Sequence, residues 1–134
     1  MAGSFTDGME VEVLKMITGQ ATSIITTTPI TPYVALTTTT PTDSAAGTEV
    51  SGNNYARISS ASKWATPSAG SVSNNATITF ATPSGSWGMV THFEIWDAVT
   101  SGNRLAWGSL TTSKTPTSGD TVSFASSALT ITAD

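Results

Sequence analysis

The stretch from Trp87 to Leu110 most constrains the fold, because it predicts a β-hairpin rich in aromatic residues. It holds three of the four tryptophans and the only histidine of the chain. Two apolar-aromatic runs flank a turn-rich break, Thr-Ser-Gly-Asn, at residues 100–103. Alternate residues of a strand lie on the same face, and in each run large apolar side chains occupy alternate positions, so each strand has one face that can pack in the core. These side chains are Met89, Phe93 and Ile95 in the first run, and Leu105 and Trp107 in the second. We therefore expect this hairpin to be the packing centre.

Further short strands are predicted on both sides of the hairpin, with turn-forming residues between them. Residues 33–38 and 76–81 have the β-branched and aromatic composition of strands, and others begin near Tyr55, Val122 and Leu129. Seven or eight short strands at near-regular spacing indicate an all-β protein, a single β-sandwich that resembles a jelly roll. A chain of 134 residues is one domain in size, and we expect residues 33–134 to form its body.

Residues 1–32 are expected to form an N-terminal arm and a first extended segment. Apolar and acidic residues alternate over residues 9–13, as in a strand, but the alternation is lost farther along. Asp7 is followed three residues later by Glu10, which resembles a helix capping box, and Gly19 is suited to end a helix. A short helix from about Met9 to Thr18 is therefore favoured over a strand.

Composition limits the classes of partner. Charged residues make up 10% of the chain and the net charge is −4, with the five basic residues scattered. This pattern does not predict nucleic-acid binding, which requires a clustered basic surface. Threonine and serine make up about a third of the chain, and they suit exposed sheet faces and turns. Because charges that would protect sheet edges are few, we expect these edges to be buried against further copies or a partner.

Features that the sequence lacks limit the kinds of site, the partners and the cellular compartment that we expect. The chain has no cysteine, which excludes disulfides, thiolate metal sites and a cysteine nucleophile. We expect no membrane partner, because no apolar run approaches the length of a membrane span. The N-terminus lacks the basic and apolar regions of a signal peptide, so assembly in the cytoplasm is expected.

His92, Glu94 and Asp97 are the one plausible cluster of titratable groups. His92 and Glu94 lie two residues apart on a predicted strand and share a face, so a hydrolase could use His92 as a base oriented by Glu94. The alternative is a half-exposed polar pair on a sheet face or in a subunit interface. No spacing resembles a metal-binding loop, and Glu94 and Asp97 have opposite parity, unlike a glycosidase pair. We therefore expect no catalysis, no metal and no cofactor.

Two further features bear on binding. Exposed aromatic rings could stack on sugars at Trp87, Trp96 and Trp107, but their alternating parity favours core or interface positions. The long loop at residues 39–54 consists of small, turn-forming residues. Since loops of this length are uncommon in compact domains and are often functional, it is the best candidate for a partner-contacting segment, the alternative being a plain surface loop.

Several runs in order along residues 33–134 resemble a family of small structural proteins of tailed phages. The runs are residues 33–36, 47–52, 55–57, 87–88, 90–93, 95–98, 107–108 and 110–111, with Lys114, residues 119–120, Phe124 and residues 129–132. Asn53 and Asn54 stand where the family tends to have glycines, and because asparagine also tolerates left-handed backbone, we expect the turn to survive. Members are labelled either capsid decoration (cement) proteins or tail-fibre-like proteins.

The resemblance to the decoration type implies a β-sandwich protomer on the capsid exterior. It implies a homotrimer that binds the assembled major capsid protein and stabilises the shell. The alternative is a tail-fibre or baseplate module that binds a host glycan through exposed tryptophans. Contacts are predicted through the long loop and the hairpin, and in the decoration role also through the N-terminal arm. The candidate interface residues are Thr48, Glu49, Val50, Asn53, Asn54, His92, Glu94 and Trp96.

Overall fold

A computed structural model describes residues 6–23 and 29–133. This part of the chain contains one α-helix and eight β-strands. They are α1 (Asp7–Ile17), β1 (Tyr33–Thr37), β2 (Ile58–Ser59), β3 (Ser71–Ser73), β4 (Ile78–Thr79), β5 (Val90–Trp96), β6 (Arg104–Lys114), β7 (Ser123–Phe124) and β8 (Thr130–Thr132). The expected strand-rich fold and short helix are confirmed. No helix in the described ranges is long and apolar enough to cross a membrane.

Helix α1 forms as the capping pattern predicted, with one correction at its start. Thr6, not Asp7, is the N-cap, and its hydroxyl accepts a hydrogen bond from the Met9 amide at 3.4 Å. Gly19 ends the helix with φ +71°, and its amide donates to the Met16 carbonyl. The helix buries Leu14 and Ile17 in the core. The predicted arm and extended segment of residues 1–32 lie partly outside the described residues, and the division at residue 33 stays a prediction.

The strands form three antiparallel sheets. The largest has the order β2-β1-β5-β6, while β3 pairs with β8 and β4 with β7. Hairpin β5–β6 is confirmed, although β6 runs on to Lys114, beyond the predicted end at Leu110, and β5 lies in the interior of the four-stranded sheet. This arrangement establishes an antiparallel, mostly β protein. Its description as one β-sandwich of jelly-roll type stays a prediction.

The first face of the central sheet, here called the inner face, is apolar. Val34 lies opposite Ile95, and Leu36 lies opposite Phe93, so these four side chains share one face. All four belong to the hydrophobic core and are 1% exposed or less. Gly108 lies opposite Phe93, and a Cβ atom there would come within 2.7 Å of the Phe93 ring. Glycine at this position therefore lets the aromatic ring pack against the β6 backbone.

The second face of the sheet, here called the loop-covered face, is polar and aromatic. Ala35 lies opposite Glu94, which in turn lies opposite Trp107, and Thr37 lies opposite His92. Ala35, Thr37 and Glu94 are fully buried, since residues 42–49 cross this face. The expectation of one core face per strand was therefore incomplete, because β1 and β5 are covered on both sides.

Two details of the hairpin differ from expectation. Met89, expected on the heavy face, precedes β5 and is 57% exposed. Asp97 does not belong to a titratable cluster but closes the turn, where its carboxylate accepts hydrogen bonds from the Asn103 amide at 2.7 Å and side chain at 2.9 Å. These bonds, the backbone one first, lower the pKa of Asp97 from its ordinary value.

Candidate interaction site

Glu94 is the centre of the loop-covered face. Its carboxylate is fully buried and accepts hydrogen bonds from the Gly47 amide at 2.9 Å and from the Trp96 indole at 3.0 Å. Arg104, on the neighbouring strand, places its guanidinium 3.4 Å from the same carboxylate. A buried carboxylate is stable only when hydrogen bonds and an opposite charge replace water. Glu94 therefore holds the long loop against the hairpin.

Arg104 and Trp107 fix the same loop at a second place. The Arg104 guanidinium donates to the carbonyls of Thr42 and Asp43, the latter at 3.2 Å. The Trp107 indole donates to the Asp43 carboxylate at 3.2 Å. Both side chains come from β6, whose register places Trp107 opposite Glu94. The loop is thus attached to the sheet from residue 42 to residue 47.

Arg57 joins the end of the loop to the hairpin turn. It binds the Glu49 carboxylate with two hydrogen bonds of 2.9 Å, a bidentate arrangement. Another nitrogen donates to the carbonyls of Ala98 and Ser101. The guanidinium also lies over the Trp96 ring, 4.0 Å from its centroid. Arg57 therefore connects its own segment to the end of the long loop and to the β5–β6 hairpin.

Tyr55 connects the loop to β1 beside the Arg57–Glu49 pair. Its hydroxyl donates to Glu49 at 2.9 Å and accepts from the Leu36 amide at 2.9 Å. Burial is the largest effect on the pKa of Tyr55 and raises it well above its ordinary value. The hydroxyl therefore stays protonated and continues to donate to Glu49.

Asn53 and Asn54, the last two residues of the loop, form a separate contact. Both have left-handed backbone, with φ of 51° and 66°, which confirms the expectation that the turn survives with asparagines there. Their side chains donate to the carbonyls of Ser86 and Thr82, each at 2.8 Å. The Trp87 indole donates back to the Asn53 carbonyl at 2.9 Å. These bonds attach the loop to the segment that leads into β5.

The structure thus brings together only some of the predicted interface residues. Glu49, Glu94 and Trp96 meet in one network, whereas Asn53 and Asn54 lie in the second contact. Thr48 is exposed, but Val50 is buried in the core. Glu94 is not half exposed as expected but fully buried, because the loop covers it.

His92 is half-buried and does not form the expected pair with Glu94. Its Nδ1 lies 2.8 Å from the Thr91 hydroxyl, and its ring lies 6.1 Å from the Trp107 ring. Glu94 instead binds the partners given above, so the contacts do not orient His92 as a base. Within residues 6–23 and 29–133, no three histidine, aspartate or glutamate side chains form a group that could hold a metal ion.

The tryptophans also differ from a sugar-binding arrangement. Trp87 is 4% exposed and packs edge-on against Tyr55 at 5.2 Å, which confirms a core position. The half-buried Trp96 carries the Arg57 guanidinium on its face. Trp107 is half-buried, and its indole N–H is bonded to Asp43.

Sequence reasoning missed Arg57 and Arg104, which organise the network. Both had been treated as scattered basic residues, yet a chain with five basic residues has few counter-charges for any carboxylate that it buries. Arg57 lies two residues after Tyr55, and Arg104 begins the strand that faces Glu94. The scarcity of charge was the signal that could have identified both.

Comparison with known proteins places this architecture in a family. Among curated proteins, none matches the chain. A family model described as podophage GP4 fiber I protein gp80 matches residues 4–132, and thus includes the N-terminal helix that the resemblance had left out. The chain therefore belongs to this family of tailed-phage virion structural proteins of tail-fibre-like type, as the resemblance predicted.

Proposed function

We propose that the protein is a structural module of the phage tail-fibre apparatus, which acts by binding and has no catalytic activity. The observation that carries this proposal is the family match to a fiber protein over residues 4–132. The geometry supports this proposal, because the charged groups of the candidate site bind one another within the protein. Glu49 is bound to Arg57, and Glu94 is bound to Arg104. A network of this kind makes a rigid platform and needs no cofactor.

The proposed binding surface is the outer side of the anchored loop. Residues 42–46 and Thr48 are exposed, and apart from Asp43 they are small and uncharged. Beneath them the loop is held by Glu94, Arg104 and Trp107. A loop that is ordered before binding loses little conformational entropy when a partner docks. Contacts through neutral hydroxyl and methyl groups depend little on salt concentration, since few charges are involved.

The second candidate is capsid decoration, in which trimers bind the major capsid protein on the outside of the shell. This candidate rests on the resemblance to a family whose members are labelled either decoration or tail-fibre-like proteins; the runs at residues 47–52 and 55–57 carry part of that resemblance and include the anchored end of the loop. Such a protein would stabilise the assembled shell by mass action, because it binds the assembly and not the free subunits. The β-sandwich of jelly-roll type belongs to this proposal.

Locating the protein on the virion separates the two candidates. We expect gold-labelled antibody or a cryo-microscopy difference map to place it on the fibre apparatus. Regular density at three-fold positions of the capsid would overturn the first candidate in favour of the second. Absence from purified virions would contradict both.

The role of the loop can be tested in the same phage. A variant with Ser44→Lys and Ala46→Glu changes two exposed loop residues without changing the net charge. We expect it to fold normally but to enter virions less than a control with Thr66→Lys and Thr77→Glu, whose residues are also exposed. Equal incorporation of both variants would contradict binding through the loop.

A further inference from the structure

A cavity lies between helix α1, the first half of strand β6 and strand β8, next to the anchored loop. Its volume is about 470 Å³, which is within the range of roughly 300–1,000 Å³ that is common for small-molecule sites. It is lined by Val13, Leu14, Ile17, Asp43, residues 104–107 and residues 131–133. Because these residues come from four separate segments, only the tertiary fold forms the cavity.

The lining of the cavity has an apolar part and a polar part. Val13 of α1 and Leu105 of β6 are half-buried, so apolar surface of the lining is left for a ligand to cover. Asp43 and Thr132 are exposed, and they add a carboxylate and a hydroxyl group. Small-molecule sites commonly combine apolar walls with a few polar groups that orient the ligand. The lining therefore suits an amphipathic ligand.

Trp107 supplies the aromatic side chain of the cavity. It is not an open platform of the kind considered from the sequence, because its indole N–H donates to the Asp43 carboxylate at 3.2 Å. That bond uses the edge of the ring and fixes its orientation, whereas a sugar stacks against a face of the ring. The half-buried side chain keeps part of its surface exposed. A ring that is fixed before binding loses little conformational entropy when a ligand docks.

The charges of the cavity favour a neutral ligand with hydroxyl groups. The Arg104 guanidinium lies 3.4 Å from the buried Glu94 carboxylate, so its charge is balanced within the protein. Asp43 accepts the Trp107 bond with one carboxylate oxygen, and within residues 6–23 and 29–133 no hydrogen bond reaches the other oxygen. A carboxylate in this state repels phosphate and carboxylate ligands but accepts hydrogen bonds from hydroxyl groups.

We propose that this cavity binds a neutral saccharide. The apolar C–H face of the sugar ring contacts Trp107 and the apolar side chains of α1 and β6, while sugar hydroxyl groups donate to Asp43. A wholly apolar ligand fits less well, because it removes water from the Asp43 carboxylate without replacing the lost hydrogen bonds. This inference deepens the proposed function, since it rests on a module that acts by binding and names the class of ligand.

NMR titration of the full chain tests whether a sugar binds in this cavity. The neutral probes are glucose, galactose, rhamnose and N-acetylglucosamine, and the charged probes are sialic acid and choline. We expect at least one neutral sugar to shift the indole N–H resonance of Trp107. The resonance of Trp64, which is 5% exposed and does not line the cavity, should stay unchanged. Failure of every neutral sugar to shift Trp107, or binding of a charged probe alone, would overturn the proposal.

A variant that fills the cavity locates the site. Val13→Phe places a larger side chain in the lining and should abolish the shift of Trp107. Val11→Phe is the matched control, since Val11 is also half-buried in α1 but does not line the cavity, and it should bind like the wild type. Thermal unfolding checks that both variants fold.

A milder variant decides the question even if the cavity does not tolerate phenylalanine. Asp43→Asn keeps the size of an exposed side chain, and we expect about tenfold weaker binding through loss of hydrogen bonds to a charged group. Asp120→Asn makes the same change of charge at an exposed residue outside the lining and should bind normally. Binding that is unchanged in Asp43→Asn places the sugar elsewhere and overturns the proposal.

The saccharide site and the proposed function can fail separately. A protein that is located on the fibre apparatus but binds no neutral sugar keeps the proposed function and contradicts the saccharide site. A protein that binds sugar in this cavity but is absent from purified virions confirms the site and contradicts the proposed function.

Discussion

The two faces of the central sheet are buried by different kinds of interaction. On the inner face, Phe93 and Ile95 pack against apolar partners on β1 and in the hydrophobic core. On the loop-covered face, Glu94 lies between them in sequence and is buried as completely. Water is excluded from the first face by apolar side chains and from the second by a loop attached through hydrogen bonds and charge.

The difference shows how a chain with few charged residues can hold a long loop. Apolar packing is non-directional, whereas a buried carboxylate requires particular partners at particular positions. Glu94 accepts a hydrogen bond from the Gly47 amide, and Arg104 donates to carbonyls in the same loop. We therefore expect the inner face to determine global stability and the loop-covered face to determine the position of the loop.

Phe93→Ala should have the largest effect on stability. It removes a ring that is 1% exposed from the inner face and leaves a cavity. We expect the free energy of unfolding to fall by about 3–5 kcal/mol, as for other buried phenylalanines. Denaturant unfolding followed by tryptophan fluorescence measures this, and a loss under about 1 kcal/mol would contradict the assignment of the inner face as the core.

Glu94→Gln should have a smaller effect that is concentrated in the loop. The amide keeps the size of the side chain but loses the charge opposite Arg104 and weakens the bond from Gly47. We expect a loss of about 2 kcal/mol, typical of hydrogen bonds to charged groups, and faster hydrogen exchange at the Gly47 amide. Unchanged exchange at this amide would show that Glu94 does not hold the loop.

Gly47→Ala tests the close approach of the loop to β1. A Cβ atom there would lie 2.7 Å from the Thr39 carbonyl oxygen and 2.9 Å from the Thr37 side chain. We expect a loss of about 1–2 kcal/mol by overpacking, again with faster exchange in the loop.

Gly8→Ala is the matched control for this substitution. Gly8 lies in α1 with no atom within 4 Å of the added Cβ, so alanine should stabilise the protein by about 0.5–1 kcal/mol. Thermal unfolding compares the two variants, and effects of the same sign would contradict the prediction.

Asp97→Asn should have the smallest effect, limited to the turn of the hairpin. Hydrogen bonds from Asn103 lower the pKa of Asp97 below its ordinary value of 3.8, so the carboxylate contributes stability above that pH. The contribution is lost as the pH falls through the lowered pKa of the folded state. We expect the difference in Tm between wild type and variant to be present at pH 7 and to shrink below pH 3.8; a difference independent of pH would contradict it.

Most of the local structure could be predicted from the sequence. The β5–β6 hairpin followed from alternating apolar residues around a turn of Thr, Ser, Gly and Asn. The helix followed from a capping pattern and Gly19, although the cap itself proved to be Thr6. Such features depend on residues close together in the chain, whose propensities act directly on the backbone.

The candidate site could be predicted only in part, because its contacts join distant residues. Glu94 and Gly47 are separated by 47 positions, and Arg57 binds carbonyls more than 40 positions away. Residue types made Glu94 and Trp96 candidate interface residues, but they did not show that a loop would cover Glu94. The length of the loop made it a candidate partner-contacting segment, which stays a prediction, while its attachment to the sheet was not predicted.

By itself, the sequence determined the β5–β6 hairpin, the helix, the low charge and, through the family match, membership of a class of phage virion proteins; strand β3 was not predicted. Periodicity and turn composition depend on residues close together in the chain, so they can be predicted from the sequence alone. Only the tertiary structure decided that both faces of β5 are buried, one by apolar packing and the other by the long loop. The reason is that burial and pairing depend on contacts between distant segments. In this protein those segments are held together by the pairs Arg57–Glu49 and Arg104–Glu94.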